Sequence, residues 1–318
     1  MIKKSAFKRI ALASIILLLL VLFSLFPKEQ NYELNLKQEV EYVSNNKMSE
    51  IYLLDANNFI GRANVVLNGN KTTDKIREML EIMIVDGKKE SFVPNGFRAI
   101  IPSDTKIISV ELADGVAKIN LSKSLLDVNK EMEEKVIEAI TYSLTSIDEV
   151  KGVVIYIEGQ VLTKLPQTSK RLPALLKRNF GVNKIYDIDS LVDIQGVTVY
   201  YINKHDDNYY YVPVTKYIND SRDKIKIIID ELISGPLYET NLMSFLNTNA
   251  KLLNYEIAAD SILLNFNSYI LDDIKNKKIL EEVIYSIALS VGDNYDVKEV
   301  IFMVENEEIE KSTLRSIE

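Results

Sequence analysis

The chain of 318 residues contains no cysteine. Disulfides, thiolate metal sites, cysteine nucleophiles and lipid anchors built on cysteine are thereby excluded together. Histidine is nearly absent too, with His205 as its one occurrence. It lies in Asn203-Lys-His-Asp-Asp-Asn208 between two tyrosine-rich runs, where a hairpin tip is expected, and the adjacent Asp206 and Asp207 are badly placed to orient it for nucleophilic catalysis. No glycine-rich phosphate loop occurs, and Leu67-Asn68-Gly69-Asn70 reads as a turn. Asp187, Asp189 and Asp193 are spaced like part of a calcium loop, but Leu191 stands at the third ligand position and no glycine supplies the sharp bend. Positive charge is also short. A net charge of -8 and a pI near 5.1 argue against nucleic-acid binding, which needs clustered Lys and Arg to displace counterions. No catalytic, cofactor-binding or metal-ligating residue is assigned, and no cofactor is expected.

What is present begins at the N-terminus. Lys3, Lys4, Lys8 and Arg9 precede an uncharged apolar run over residues 10–26, which Pro27 ends. The pattern predicts a signal anchor over residues 1–27, a single transmembrane helix. A cleavage site wants small residues at the third and first positions before the cut, which the end of the run over residues 22–26 (Leu-Phe-Ser-Leu-Phe) does not supply, so retention is expected. The positive-inside rule places the bulk of the chain on the extracytoplasmic side of the cell membrane. Polar residues 28–48 read as a tether. The remainder, in a chain 47% hydrophobic and 26% charged, has ordinary globular composition with room for two cores.

That remainder repeats itself. Apolar residues at 76, 79, 80, 83 and 84 recur at 225, 228, 229, 232 and 233, each set one helical stripe. The run starting at Lys106 returns at Lys251, 145 residues on (251 minus 106), with Ile108, Val110 and Leu112 alternating as Leu253, Tyr255 and Ile257 do. Such alternation predicts strands with one buried face, followed by a second pair on Ala117, Ile119, Leu121 and Ile262, Leu264, Phe266. Asp114-Gly115 marks the tight turn between the first two. A second helix aligns Met132, Val136, Ile140, Leu144 with Ile279, Val283, Ile287, Val291. Each half closes on an unbroken apolar run after Val150 or Val297, expected of a strand covered on both faces. The unit reads helix, strand, strand, helix, strand, preceded by one or two strands. The fold class is an α/β, or α+β, sandwich, each copy a small mixed sheet with two helices packed on one face and the other face free. Repeat 1 spans residues 49–159 and repeat 2 residues 197–308. A linker (160–196) and a C-terminal tail (309–318) complete the chain. In the linker, Leu172, Leu175, Leu176 and Phe180 suggest a short helix docking one repeat on the other, beside a basic cluster of Lys170, Arg171, Lys177 and Arg178.

Leu232-Ile233-Ser234-Gly235-Pro236, Ile101-Pro102 before Thr105-Lys106-Ile107, and Ile119-Asn120-Leu121-Ser122 carry a resemblance to the GerMN domain family of sporulation and spore-germination proteins. Each copy has lost part of the pattern: repeat 1 has Val85-Asp86-Gly87-Lys88 where Gly-Pro is expected, and repeat 2 has Leu246-Asn247 where Ile-Pro is expected. The resemblance implies a non-enzymatic, membrane-anchored extracytoplasmic scaffold or ring-type assembly protein, with homo-oligomers or proteins of the envelope and sporulation complexes as partners. The alternative is a surface module binding peptidoglycan or glycan. Two features serve these expectations. Glu111 with Glu256 and Asn120 with Asn265 occupy equivalent strand positions, mostly as solvent-facing residues, with a subunit contact as the functional option. Tyr200, Tyr201, Tyr209, Tyr210 and Tyr211 crowd one hairpin, where strand propensity competes with an interaction patch.

Overall fold

A computed structural model describes residues 48–236, 240–295 and 297–313. The anchor and nearly all of the tether lie outside the described residues. No helix among the described residues is long and apolar enough to cross a membrane.

Each repeat opens with a hairpin, β1 (Met48–Asp55) with β2 (Ile60–Val66) in the first and β9 (Ile194–His205) with β10 (Asn208–Asn219) in the second. A helix follows, α1 (Thr72–Ile82) or α3 (Lys224–Ser234), and then a second antiparallel pair, β4 (Ile107–Ala113) with β5 (Val116–Leu121) or β11 (Leu252–Ile257) with β12 (Ser261–Phe266). A second helix, α2 (Glu133–Leu144) or α4 (Glu281–Asn294), returns the chain to a parallel strand beside the pair, β6 (Gly152–Ile157) or β13 (Glu299–Val304). An antiparallel edge strand closes each small sheet, β7 (Gln160–Val161) or β14 (Glu307–Thr313). Residues 309–313, expected in the tail, therefore belong to repeat 2.

The helical stripes are buried as their spacing requires. Ile76, Met79, Leu80, Met83 and Ile84 are enclosed in the first copy, and Ile225, Ile228, Ile229 and Leu232 in the second. Two strand readings need correction. Ile108 and Leu253 do not face the core. Each sits at a bulge, between Ile107 and Ser109 and between Leu252 and Asn254, and the extra residue is turned outward, leaving them 50% and 52% exposed. Ile257 is exposed as well. The final strands are not covered on both faces: Val153 and Ile155 are buried while Val154 and Tyr156 are half-buried, because the outer face of each small sheet carries no further layer.

The hairpins do not extend the small sheets. They join across the repeats into a separate central sheet, ordered β3 (Phe97–Arg98), β1, β2, β10, with β9 along one side of β10 and β8 (Ile185–Asp187) sharing the other side with β2. The second helix of each repeat packs against this sheet, so α2 lies between β1 and β6 and is buried nearly all round. Two hydrophobic cores result, one per repeat, with Leu172, Leu176 and Val182 of the linker built into the first. The linker docks as expected but not as a helix. It runs extended along β6, where Val153 and Leu176 exchange both backbone hydrogen bonds, and it forms only a single 3-10 turn at Arg178–Phe180.

Candidate functional site

The hairpins meet at one backbone bridge, Tyr211 with Arg62. Antiparallel register then places Ile60 opposite Pro213, which has no N–H to give. Asn183 fills that gap. Its Oδ1 accepts the Ile60 N–H at 2.9 Å, and its Nδ2 donates to the carbonyls of Ile60 at 2.9 Å and Pro213 at 2.7 Å. The side-chain amide thus replaces a stretch of backbone ladder, and Asn183 itself holds the left-handed φ of 45° that asparagine tolerates.

The helices meet the outer strands of the same sheet in matching ways. Ser143 Oγ of α2 accepts the Tyr52 N–H at 2.9 Å, and Ser290 Oγ of α4 accepts the Tyr200 N–H at 2.8 Å. The offset is 147 for the serines (290 minus 143) and 148 for the tyrosines (200 minus 52), so the repeat itself carries this contact. Ser146 donates to the Glu50 carbonyl, and Asn294 bonds both the N–H and the carbonyl of Thr198. Helix side chains thereby occupy backbone groups that would otherwise be an open sheet edge.

Between these two contacts the tyrosine hydroxyls converge, Tyr52 to Tyr200 at 3.0 Å. Arg178 of the linker lies against them. Its guanidinium donates to both hydroxyls at 3.3 Å and to Asp293 Oδ1 at 2.5 Å, and it stacks 4.9 Å from the centre of the Tyr142 ring. Tyr200 donates in turn to Asp293 Oδ2 at 2.7 Å, and Glu50 accepts from Tyr52 and from Arg62. Burial pushes the Tyr52 hydroxyl up to about 12, so it stays protonated as a neutral donor. Burial works against the Arg178 charge, but Asp293, Tyr52, Tyr200 and Glu50 together outweigh it and hold the guanidinium protonated. Glu50 is likewise penalised by burial, yet Arg62 draws it below its ordinary range. A second buried set lies on the far side of α2. There burial pushes Glu138 from 4.5 up to about 7 even though Lys184 sits 3.3 Å away. The charges are consumed in holding linker, repeat 1 and repeat 2 together. A cleft of about 780 Å³ opens beside the seam, lined by Tyr52, Arg178, Tyr200 and Asp293 with Lys75 and Lys151 at its sides.

The residues singled out from sequence disperse. His205 ends β9 at the expected tip, 3.6 Å from Asp206, and its ring lies over Gly96, whose φ of +89° and lack of a side chain let repeat 1 approach it. Asp187, Asp189 and Asp193 do not converge, and no group of three candidate ligands comes together among the described residues. Glu111 and Glu256 are exposed on the outer strands. Asn120 and Asn265 do have a shared duty: each accepts a backbone N–H, from Gly159 or Asn306, in the turn after the parallel strand. Two residues on, Ser122 and Asn267 accept the N–H of Lys106 and Lys251, so this part of the motif locks the ends of each small sheet. Of the hairpin tyrosines only Tyr209 is exposed; Tyr200 and Tyr201 are buried and Tyr210 donates to Asp55 across the repeats. The patch is mostly an internal joint.

Fold and seam together define a tandem-repeat α/β protein whose two copies are joined into one body through their first hairpins. The model of the Germane family, described as sporulation and spore germination, matches residues 50–163 and 198–310, and the chain belongs to this family. It is 32% identical over 267 residues to the spore germination protein GerM of Bacillus subtilis (strain 168), covering 82% of this chain and 72% of that protein. The solved tandem GerMN domains of the sporulation protein GerM from Bacillus subtilis superpose with a TM-score of 0.76 at 30% identity, over 84% of this chain and 96% of theirs. The homology supports a role in sporulation or germination, and these relatives are sporulation proteins, not known enzymes.

Proposed function

We propose that the chain is a non-enzymatic, single-pass extracytoplasmic scaffold acting in sporulation or spore germination. The observation that carries this reading is the seam. Arg178, Asp293, Glu50 and Arg62 are spent on one another, on tyrosine hydroxyls and on backbone, so the buried charges beside the cleft serve the joint between the repeats. An arrangement of this kind fixes the angle between two repeats, as a rigid assembly element requires and a flexible tether of binding beads does not. The charged N-terminus and apolar run of residues 10–26 supply the anchor in this reading, and envelope or sporulation-complex proteins are its partners.

A chain without cysteine makes the topology directly measurable. Asp207→Cys, at a fully exposed tip, should react with a membrane-impermeant maleimide on intact cells while Ser5→Cys reacts only after lysis. Labelling of Asp207→Cys only after lysis would sink the extracytoplasmic placement.

A further inference from the structure

The turn between β8 and β9 displays apolar side chains that the fold leaves uncovered. Residues 186–194 hold five of the fifteen large hydrophobics that are exposed among the described residues, with Leu191 at 92% and Val192 at 65%. The tip is nonetheless built. Asn219 Oδ1 accepts the N–H of Asp189 at 2.7 Å and of Ser190 at 3.1 Å, and its Nδ2 donates to the carbonyls of Ser190 and Val192. One side chain therefore holds the tip in shape while Leu191 points to water, which is the opposite of hydrophobic economy. Asp187, Asp189 and Asp193 flank it along the chain, and all three are exposed.

Beside this knuckle lies a hollow of about 540 Å³ with the opposite character. Pro173, Leu175, Phe180 and Tyr217 form apolar walls, and Arg171 and Lys177 stand exposed at the rim. Lys170 and Lys184, also at the hollow, are already paired to Glu134. Tyr186, stacked on Tyr217 at 5.0 Å, is the wall that knuckle and hollow share. An acidic apolar projection and a basic apolar socket thus sit side by side on one surface. Adjacent complementary patches are what a two-fold contact needs, since each copy then gives its knuckle and receives its partner's.

We propose that this face binds a second copy of the chain, with Leu191 and Val192 of each copy seated in the Leu175 hollow of the other and the aspartates set against Arg171 and Lys177. Apolar burial supplies affinity, and the charges fix the register. The contact goes beyond the scaffold reading by naming a partner and a surface, and it does not depend on where the chain resides.

Mixed cysteine variants test it in the full-length chain. Leu191→Cys and Leu175→Cys chains, separately tagged and mixed under mild oxidation, should link into a species of twice 36.3 kDa, at least about tenfold more than either forms with the exposed control Met48→Cys. Linking no better than the control would overturn the proposal. Adding Asp187→Lys with Asp189→Lys to the first chain, or Arg171→Glu with Lys177→Glu to the second, should cut the yield about tenfold, and using both reversed chains together should restore it. Loss without restoration would equally overturn it, whereas the labelling result for the scaffold reading would stand unchanged.

Discussion

Asn183 and Arg178 show how much of this molecule rests on single side chains of the linker between the repeats. Asn183→Ala would strand the Ile60 N–H and two carbonyls in the interior and place alanine at a φ of 45°. A loss of about 3 kcal/mol is expected in denaturant unfolding, and Asn183→Gly, free of the backbone strain, should recover less than half of it. Arg178→Met leaves Asp293 buried beside two tyrosines without its cation, a loss of about 3 to 5 kcal/mol. Glu138 gives a pH signature. Its carboxyl rises from 4.5 to about 7 on folding, so between those values the folded chain binds more protons than the unfolded one. Stability from this group is then full below about 4.5 and declines as pH rises through about 7. Glu138→Gln cannot titrate, and Glu134 still pairs with Lys184. The variant should gain on the parent by up to about 3 kcal/mol between pH 4.5 and pH 7.5, and a constant difference would contradict the burial argument.

At the scale of elements, what the sequence made legible follows from periodicity. The helices and the paired strands repeat with offsets of 145 to 149, and the alternation of Ala117, Ile119, Leu121 against Ile262, Leu264, Phe266 is buried as read. The bulges escaped this reading because one extra residue leaves composition unchanged while reversing which side chains face inward, so Ile108 and Leu253 looked like core. Replacing Ile108 or Leu253 with Ser should change stability by no more than about 0.5 kcal/mol, while Ile119→Ala on the neighbouring strand should cost about 2 to 5 kcal/mol. The linker is extended and not helical, although leucines at 172, 175 and 176 fit a helical stripe equally well. Their burial is set by the edge of β6 and not by a helix of their own. The seam left one visible trace. Ser143 and Ser290 are identical at the repeat offset, but Asp293 has Ser146 as its counterpart, and that broken equivalence marks where the copies face each other.

For the whole molecule, the central sheet is what turns a duplicated domain into one body. Nothing in the pattern of either hairpin announces that they pair with each other, since the backbone meets at a single bridge and the other joints are side chains, among them Asn183, Arg178, Tyr52 with Tyr200, and Tyr210 on Asp55. Each repeat has its own hydrophobic core, so separate folding units would unfold separately. Native-state hydrogen exchange in rising denaturant, read peptide by peptide, compares β5 of repeat 1 with β12 of repeat 2 in the same sample. A rigid two-repeat body predicts that both lose protection together with equal free energies, and that Arg178→Met separates them. Protection lost from one repeat at markedly lower denaturant in the unaltered chain would contradict the account.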